Sequence, residues 1–203
     1  MPDTVSSCHL KGTSDPPNLP LIAIDGQRRL VAAERSGTPC PVSLKNVGVS
    51  GVIISGGSLS KDTIEAVNAA ATTTRRFVAY EDVVRVGGSL SWRANNPGNL
   101  RDAPTKIGTV PGAIGTFAVF ATLDDGRAAQ RDLYLSRYGE MRVRDAIVKL
   151  TPPSENDTGA YLANLQKVGV KLDQNVKSQI DVLMRAIEKY EGLVRGIEVK
   201  RQP

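Results

Sequence analysis

The stretch WRANNPGNLR (residues 92–101) concentrates hydrogen-bonding side chains: three asparagines and two arginines accompany the only tryptophan of the chain. A turn commonly uses one or two asparagines, because Asn tolerates the left-handed region and closes Asx-turns. Asn95, Asn96 and Asn99 together therefore predict either a surface that hydrogen-bonds a ligand or a loop that the amides hold shut. Trp92 likewise allows two predictions: its ring is either a surface on which a ligand stacks or a side chain packed in the core.

The balance of charges points to an anionic partner. The 203-residue chain has a formal net charge of +5 and a pI of about 9.3. Such a balance favours nucleic acid, a phospholipid surface or the bacterial cell wall. The basic residues form no run longer than two, and they do not alternate with aromatics as in single-strand-binding proteins. The sequence therefore predicts no nucleic-acid partner and is compatible with the cell wall.

The chain shows no targeting or membrane signal. No apolar run approaches the roughly 20 residues of a membrane-spanning helix, so we predict no membrane span. The segment MPDTVSSCHLKGTSDPPNLP (residues 1–20) lacks the charged-then-apolar pattern of a signal peptide. A role outside the producing cytoplasm would therefore require another delivery device.

Cysteine and histidine are too scarce to predict a metal centre. Cys8 and Cys40 are the only cysteines, and the sequence leaves open whether they form a disulfide or remain thiols. His9, beside Cys8, is the only histidine, so no second group of ligands exists to complete a zinc site. We therefore expect neither a metal nor an organic cofactor.

Element signals divide the chain into three segments. Residues 1–20 form a polar, proline-rich lead-in, residues 21–73 a β-containing N-terminal extension, and residues 74–203 a mainly helical domain. Within the extension, Asp25-Gly26 lies between two apolar runs and predicts a β-hairpin. Ser60 is a candidate N-cap for the first helix. The predicted fold class is α+β, mainly α.

The helices of residues 74–203 are predicted from the spacing of apolar residues and from candidate capping residues. A second helix is predicted at about residues 74–84, and Glu81 stands at the end of its apolar part, FVAYED. The run from Thr116 predicts a short strand followed by a helix, and Pro152 is expected to stop the helix of residues 143–150. Ser154 is a candidate N-cap for the next helix. The last helix is the clearest, because one face carries Ile180, Leu183, Met184 and Ile187.

The order of motifs resembles a group of phage and bacterial proteins. RANNPGNLR, GTFAVFATLDDGRAAQRDL, TPPSENDTGAYLANLQKVGV and MRAIEKYEG follow one another here. The group shows R-x-N-N-P-G-N-[IL]-R, then F-x-x-F-x-[ST]-x-x-x-G, then P-P-x-E-N-D-T-x-x-Y. The resemblance covers residues 92–192, about half of the chain. It implies a lysozyme-like domain that either cleaves the cell wall or engages it as a phage structural protein.

The resemblance also implies candidate catalytic residues. Goose-type lysozymes and lytic transglycosylases follow a similar plan, in which a Glu ends a helix, a Ser- and Gly-rich loop follows, and a Tyr lies further on. Glu81 fits this plan as the general acid. Glu191 is its rival, since the last helix of the group tends to end in H-E-N-G, where this chain has YEGL. The His and Asn on either side of the Glu are absent here.

The polar loop of residues 89–99 and Tyr161 complete the predicted site. The substrate-binding candidates implied by the resemblance are Ser91, Trp92, Asn95, Asn96, Asn99 and Tyr161. Asp124 and Asp125 could provide the second carboxylate of a glycosidase, as nucleophile or as stabiliser of the positive charge, but a pair that opens a helix usually compensates the helix dipole.

The predicted function is cleavage of the glycan strands of peptidoglycan, of the lysozyme or lytic transglycosylase type. The front end is similar to antibacterial effectors that a contractile secretion apparatus delivers to the periplasm of target bacteria, and a phage lysis protein would look alike. An effector would require an immunity protein. The alternative is a non-catalytic wall-binding or virion structural protein. An amidase or peptidase is disfavoured, because one His and no paired Cys offer little for such chemistry.

Overall fold

The computed structural model describes the backbone of residues 22–24, 28–30 and 40–44 together with residues 49–57, 59–71, 76–113, 115–154 and 157–201. The predicted lead-in of residues 1–20 lies outside the described residues. So do Cys8, His9, the side chain of Cys40 and the Asp25-Gly26 turn.

The predicted fold class, α+β and mainly α, is confirmed. The described elements, in chain order, are β1 (Ile22–Ile24), β2 (Arg28–Leu30), β3 (Cys40–Leu44), β4 (Val49–Ile53), α1 (Lys61–Ala70), β5 (Arg76–Ala79), β6 (Val83–Val86), α2 (Leu90–Arg93), β7 (Gly108–Gly112), β8 (Gly115–Val119), α3 (Leu123–Tyr138), α4 (Val143–Leu150), α5 (Thr158–Lys167), α6 (Val176–Glu191) and β9 (Ile197–Lys200). None of the helices in this part of the chain has both the length and the hydropathy for a membrane crossing.

The chain forms two compact units. The first comprises residues 1–88, 107–110 and 195–203, and the second comprises residues 89–106 and 111–194. Their boundary follows Gly88, further along the chain than the predicted start of the helical domain at residue 74. The difference arises because β5 and β6 belong to the sheet of the first unit, to which the last strand, β9, also returns.

The first unit is built on a five-stranded sheet with the order β3-β4-β5-β6-β9. Strands β4 and β5 are parallel and are connected through α1, whereas the other neighbouring pairs are antiparallel. Ser60 caps α1, as predicted, by accepting a hydrogen bond from the Thr63 amide at 3.2 Å. Ile64 and Val67 of α1 are buried in the same core cluster as Phe77 of β5. The predicted hairpin is also confirmed, since β1 and β2 pair antiparallel.

The helix predicted at residues 74–84 is wrong. Strands β5 and β6 occupy this stretch, with Phe77 opposite Val86 and Ala79 opposite Val84. The residues from Phe77 to Tyr80 are all buried. A short apolar run of this kind is typical of a strand enclosed on both faces, and periodicity alone does not distinguish it from a helix.

The second unit is mainly helical. Helices α3 and α6 pack against each other, and α4 and α5 complete a core that includes Ile147, Leu165, Leu183 and Ile187. Helix α4 ends at Leu150, before Pro152, as predicted. The N-cap predicted at Ser154 is wrong, because Asp157 accepts the capping hydrogen bond from the Ala160 amide at 2.9 Å.

Candidate functional site

Glu191 is the last residue of α6. Helix α6 is amphipathic, and Ile180, Leu183 and Ile187 bury its apolar face in the core of the second unit. Gly192 then adopts a left-handed conformation with φ +73°, which ends the helix as a C-terminal glycine commonly does. The acidic side chain therefore stands where the helix stops and the chain turns away.

Two side chains from distant parts of the sequence hold the Glu191 carboxylate. The Asn99 amide nitrogen Nδ2 donates a hydrogen bond to Oε2 at 2.7 Å, and the Tyr161 hydroxyl donates to Oε1 at 3.2 Å. Asn99 belongs to the loop of residues 95–99 after α2, which we call the asparagine loop, and Tyr161 lies on α5. Each carboxylate oxygen thus has its own donor, and together the two donors fix the direction in which the carboxylate points.

Tyr161 is buried beside the acid, and its hydroxyl keeps its proton. Burial raises the pKa of Tyr161 well above the ordinary value for tyrosine, and the negative charge of Glu191 raises it further. The ring of Tyr190 packs against it, with 4.2 Å between the ring centroids. Burial also raises the pKa of Tyr134 to about 12, and Glu191 adds to this effect. The surroundings of Glu191 therefore include tyrosines that remain neutral hydrogen-bonding groups.

Glu191 lies in the wall of a cleft of about 1110 Å³, which we call the Glu191 cleft. Its lining combines the groups that hold the acid with charged and aromatic side chains: Asn99, Arg101, Asp132, Tyr134, Tyr161 and Glu191. Beside Glu191, the lining includes the Asn99 amide and the rings of Tyr134 and Tyr161. Such a cleft suits a ligand with both hydroxyl groups and apolar ring faces, as sugars have.

Asn96 holds the asparagine loop together through hydrogen bonds of its buried side chain to the backbone. Its side chain is fully buried, and its amide nitrogen donates to the carbonyl oxygens of Leu100 at 2.8 Å and Ala118 at 2.9 Å. Its Oδ1 accepts from the Leu100 amide at 2.8 Å. Every hydrogen-bonding group of this side chain is therefore used by the backbone, which is the loop-closing alternative of the two predicted roles.

Asn95 and Asn99 supply the left-handed backbone conformations of the same loop, with φ +53° and φ +48°. Asparagine tolerates this region better than other residues with a side chain. The Asn95 amide donates to the carbonyl oxygens of Phe120 and Ala121, at 3.0 and 2.9 Å, and so ties the loop to the end of β8. Only Asn99 turns its amide nitrogen towards the acid.

Trp92 and Ser91 are interior residues. The Trp92 side chain is 5% exposed, which agrees with the packing role rather than with an open stacking platform. Ser91 is 1% exposed, and its hydroxyl donates to the Gly192 carbonyl oxygen at 3.1 Å. Both were predicted to bind substrate, and the structure places neither of them in the lining of the Glu191 cleft.

Glu81 is not at the end of a helix. It is exposed in the turn between β5 and β6, in the first unit, and it does not line the Glu191 cleft. The premise on which Glu81 was matched to the lysozyme plan is therefore wrong. Of the two predicted catalytic residues, Glu191 is the one that the structure brings together with Asn99 and Tyr161.

Asp124 and Asp125 have structural roles at the start of α3. The Asp125 carboxylate accepts a hydrogen bond from the Thr122 amide at 3.0 Å and completes a capping box. Asp124 is paired with Arg127 at 3.1 Å. The carboxylates that line the Glu191 cleft besides Glu191 are Asp102 and Asp132, which the sequence interpretation missed.

The sequence also did not identify Tyr134 as a site residue, because its position is typical of an ordinary core residue of α3. Nothing in the sequence around Tyr134, Asp102 or Asp132 sets them apart from their neighbours, so only the folded chain identifies them as lining residues.

The described side chains contain no group of three His, Cys, Asp or Glu residues that could hold a metal ion. No protein-family model matches the sequence, and no curated protein matches it at a significant level.

Proposed function

We propose that the second unit cleaves the glycan strands of peptidoglycan and that Glu191 is the general acid. The observation that carries this proposal is the Glu191 carboxylate, held by Asn99 and Tyr161 in the wall of an open cleft. Enzymes that cleave glycosidic bonds place such a carboxyl beside the leaving oxygen. The basic charge of the chain suits a substrate that carries carboxylates.

The reaction requires one proton transfer to the glycan. The carboxyl of Glu191 gives its proton to the glycosidic oxygen while the bond between that oxygen and the anomeric carbon breaks. The positive charge that develops on the sugar ring is then quenched by water, or by a hydroxyl of the same sugar. In either case the Glu191 carboxylate takes up the proton that the attacking hydroxyl releases. The first route is hydrolysis, and the second forms an anhydro-sugar.

Asn99 and Tyr161 serve this reaction by orienting the acid. Each donates to one carboxylate oxygen, so the carboxylate keeps one orientation between turnovers. A group held in its reactive geometry loses little entropy when the substrate arrives. In this proposal, substrate binding is assigned to the open lining of the Glu191 cleft. The loop that carries Asn99 is supported by three buried residues, Trp92, Asn95 and Asn96.

The proposed setting is an antibacterial effector that acts in the periplasm of target bacteria, or a phage lysis protein. Its support is the motif resemblance of residues 92–192. An effector of this kind is made together with an immunity protein that protects the producing cell. The alternative is a wall-binding or virion structural protein that retains the fold without catalysis. The specific feature favouring it is Tyr190-Glu191-Gly192, where the resembled group has His-Glu-Asn.

The test is to incubate the purified protein with isolated peptidoglycan and to identify the soluble products by mass. We expect disaccharide-peptides, and their masses distinguish hydrolysis from anhydro-sugar formation. Glu191→Gln should lower the rate by about 10²- to 10⁴-fold, which is the usual contribution of a general acid. Glu81→Gln is the matched control, since the same change on the exposed β5–β6 turn should leave the rate unchanged.

Two results would contradict the proposal. Loss of activity in Glu81→Gln but not in Glu191→Gln would move the acid to the first unit. Binding of peptidoglycan without any released product would instead support the wall-binding alternative.

A further inference from the structure

The chain that follows Glu191 is attached to the start of α2. The Ser89 amide donates to the Val194 carbonyl oxygen at 2.9 Å, and the Val194 amide donates to the Ser89 hydroxyl oxygen at 3.1 Å. The Ser91 hydroxyl donates to the Gly192 carbonyl oxygen at 3.1 Å. Two serines, one turn before the asparagine loop, therefore anchor the backbone directly after the proposed acid.

The hydroxyls of the two serines are in contact with each other and with the chain after Glu191. The single proton of Ser91 goes to the Gly192 carbonyl oxygen, and the single proton of Ser89 has two acceptors within reach, the Ser91 oxygen at 2.9 Å and the Val194 carbonyl oxygen at 3.4 Å. The Ser89 oxygen in turn accepts from the backbone amide of Trp92 at 3.2 Å. Ser91 is 1% exposed, so water does not readily replace its hydroxyl if that hydroxyl is removed.

The end of α6 needs such an anchor for two reasons. The last carbonyl groups of a helix have no partner within it, and helix ends fray. In addition, a carboxylate at a helix C-terminus lies at the negative end of the helix dipole, which disfavours the helical conformation there. Gly192, with φ +73°, adds no side chain that could hold the turn in place.

We propose that Ser91 is a positioning residue for Glu191. Residues 89–99 hold the acid at two points, since Ser91 binds the backbone carbonyl after it and Asn99 binds its carboxylate. One short segment thus fixes both the place where α6 ends and the direction of the Glu191 side chain. This inference rests on the proposed function for its catalytic meaning, although the positioning itself is measurable without catalysis.

The first experiment compares Ser91→Ala with Ser178→Ala. Ser178 lies at the other end of α6, where its hydroxyl also donates to a backbone carbonyl, that of Asn175, at 2.9 Å. Both variants lose one hydrogen bond of the same kind from the same helix. For Ser91→Ala we expect kcat on peptidoglycan to fall roughly tenfold with KM unchanged, because misplacing a catalytic group slows the chemical step. Ser178→Ala should retain the wild-type kcat.

The second experiment follows the side-chain amide protons of Asn99 by NMR as the pH is varied. In the wild type these resonances report the ionisation of Glu191 through their hydrogen bond, and Glu191→Gln identifies the titration step by abolishing it. Ser91→Ala should reduce this titration shift, whereas Ser178→Ala should leave it as in the wild type.

The Asn99 resonances decide the inference. An unchanged titration shift in Ser91→Ala would overturn it, even if kcat fell, because the loss would then not act through Glu191. A reduced shift would support it. Absence of cleavage by the wild type would overturn the proposed function alone, since the Asn99 titration would still report whether Ser91 positions the carboxylate.

Discussion

The three asparagines of one loop are used in three different ways. Asn96 is bonded entirely to the backbone, Asn95 combines a left-handed conformation with a tie to the end of β8, and Asn99 turns its amide nitrogen to Glu191. Residue type alone does not distinguish these roles, because all three side chains carry the same donor and acceptor. Their different burial and partners assign one of them to the site and two to its support.

Asn96→Ala is expected to destabilise the second unit. The change removes three hydrogen bonds and leaves the Leu100 amide and the Ala118 carbonyl buried without the side chain that binds them. Leaving a buried polar group unsatisfied costs about 1–3 kcal/mol, so the free energy of unfolding should fall by roughly 3 kcal/mol. Urea unfolding measures this loss.

Asn164→Ala is the control for that measurement. Its amide also donates to a backbone carbonyl, that of Ala160 at 2.8 Å, but the side chain is exposed on α5. Water replaces the lost bond, and alanine is the better helix former, so the free energy of unfolding should change by less than about 1 kcal/mol. Equal losses in Asn96→Ala and Asn164→Ala would show that burial of the amide contributes nothing.

At the scale of elements, α3 and the asparagine loop meet through their backbones. A Cβ atom built on Gly126, in the first turn of α3, would lie closer to the Asn95 carbonyl oxygen than any real contact allows, and 3.0 Å from Pro97 Cδ. The capping box of Thr122 and Asp125 fixes where α3 begins, so the helix cannot shift by a residue to make room. The absence of a side chain at Gly126 lets the loop that carries Asn99 lie against α3.

Gly126→Ala should therefore destabilise the protein, although alanine normally stabilises a helix by about 1 kcal/mol relative to glycine. The clash is with backbone rather than with a flexible side chain, so we expect a loss of at least about 2 kcal/mol. Gly159→Ala on α5 is the matched control, because its nearest contact would be an ordinary 3.5 Å to Asp157 Oδ1. Thermal unfolding should place the two variants on opposite sides of the wild type, and an increase of Tm in both would contradict the close approach.

The elements could be predicted where local signals suffice. The apolar face of α6, the antiparallel pairing of β1 with β2 and the stop before Pro152 each depend on neighbouring residues, and all three are confirmed. Strands β5 and β6 could not be predicted, because their enclosure depends on β4 and β9, which come from distant parts of the chain.

The candidate site could not be predicted either, because it also depends on contacts between distant parts of the chain. Glu191 meets Tyr161 across 30 residues and Asn99 across 92, so only packing of the whole unit brings these three side chains together.

At the scale of the whole molecule, each unit has its own core and at least one buried tyrosine. Tyr80 lies at the end of β5 in the first unit, and Tyr134 and Tyr161 lie in the second. Burial raises the pKa of all three, to about 12 for Tyr134 and above the ordinary tyrosine range for the other two. We therefore expect both units to be sensitive to alkaline pH, although their core clusters share no residue.

Stability is expected to fall as the pH rises above about 10. A tyrosine whose pKa is raised by folding contributes stability that is fully present below the unfolded pKa of 10.0, and this contribution is lost as the pH rises towards the folded pKa. In that window the unfolded chain has released the proton while the folded chain retains it. Each such tyrosine then lowers the free energy of unfolding by roughly 1.4 kcal/mol per pH unit.

Urea unfolding at about pH 9, 10 and 11 measures this slope, and the rise in tyrosinate absorbance that accompanies unfolding should correspond to the buried rings of Tyr80, Tyr134 and Tyr161. Tyr134→Phe is the control, because it removes one raised pKa and should make the decline with pH less steep by about 1.4 kcal/mol per unit. Its hydroxyl accepts only a long 3.3 Å hydrogen bond from Gln130, so the variant should still fold. If Tyr134→Phe leaves the slope unchanged, the buried tyrosines do not set the alkaline limit.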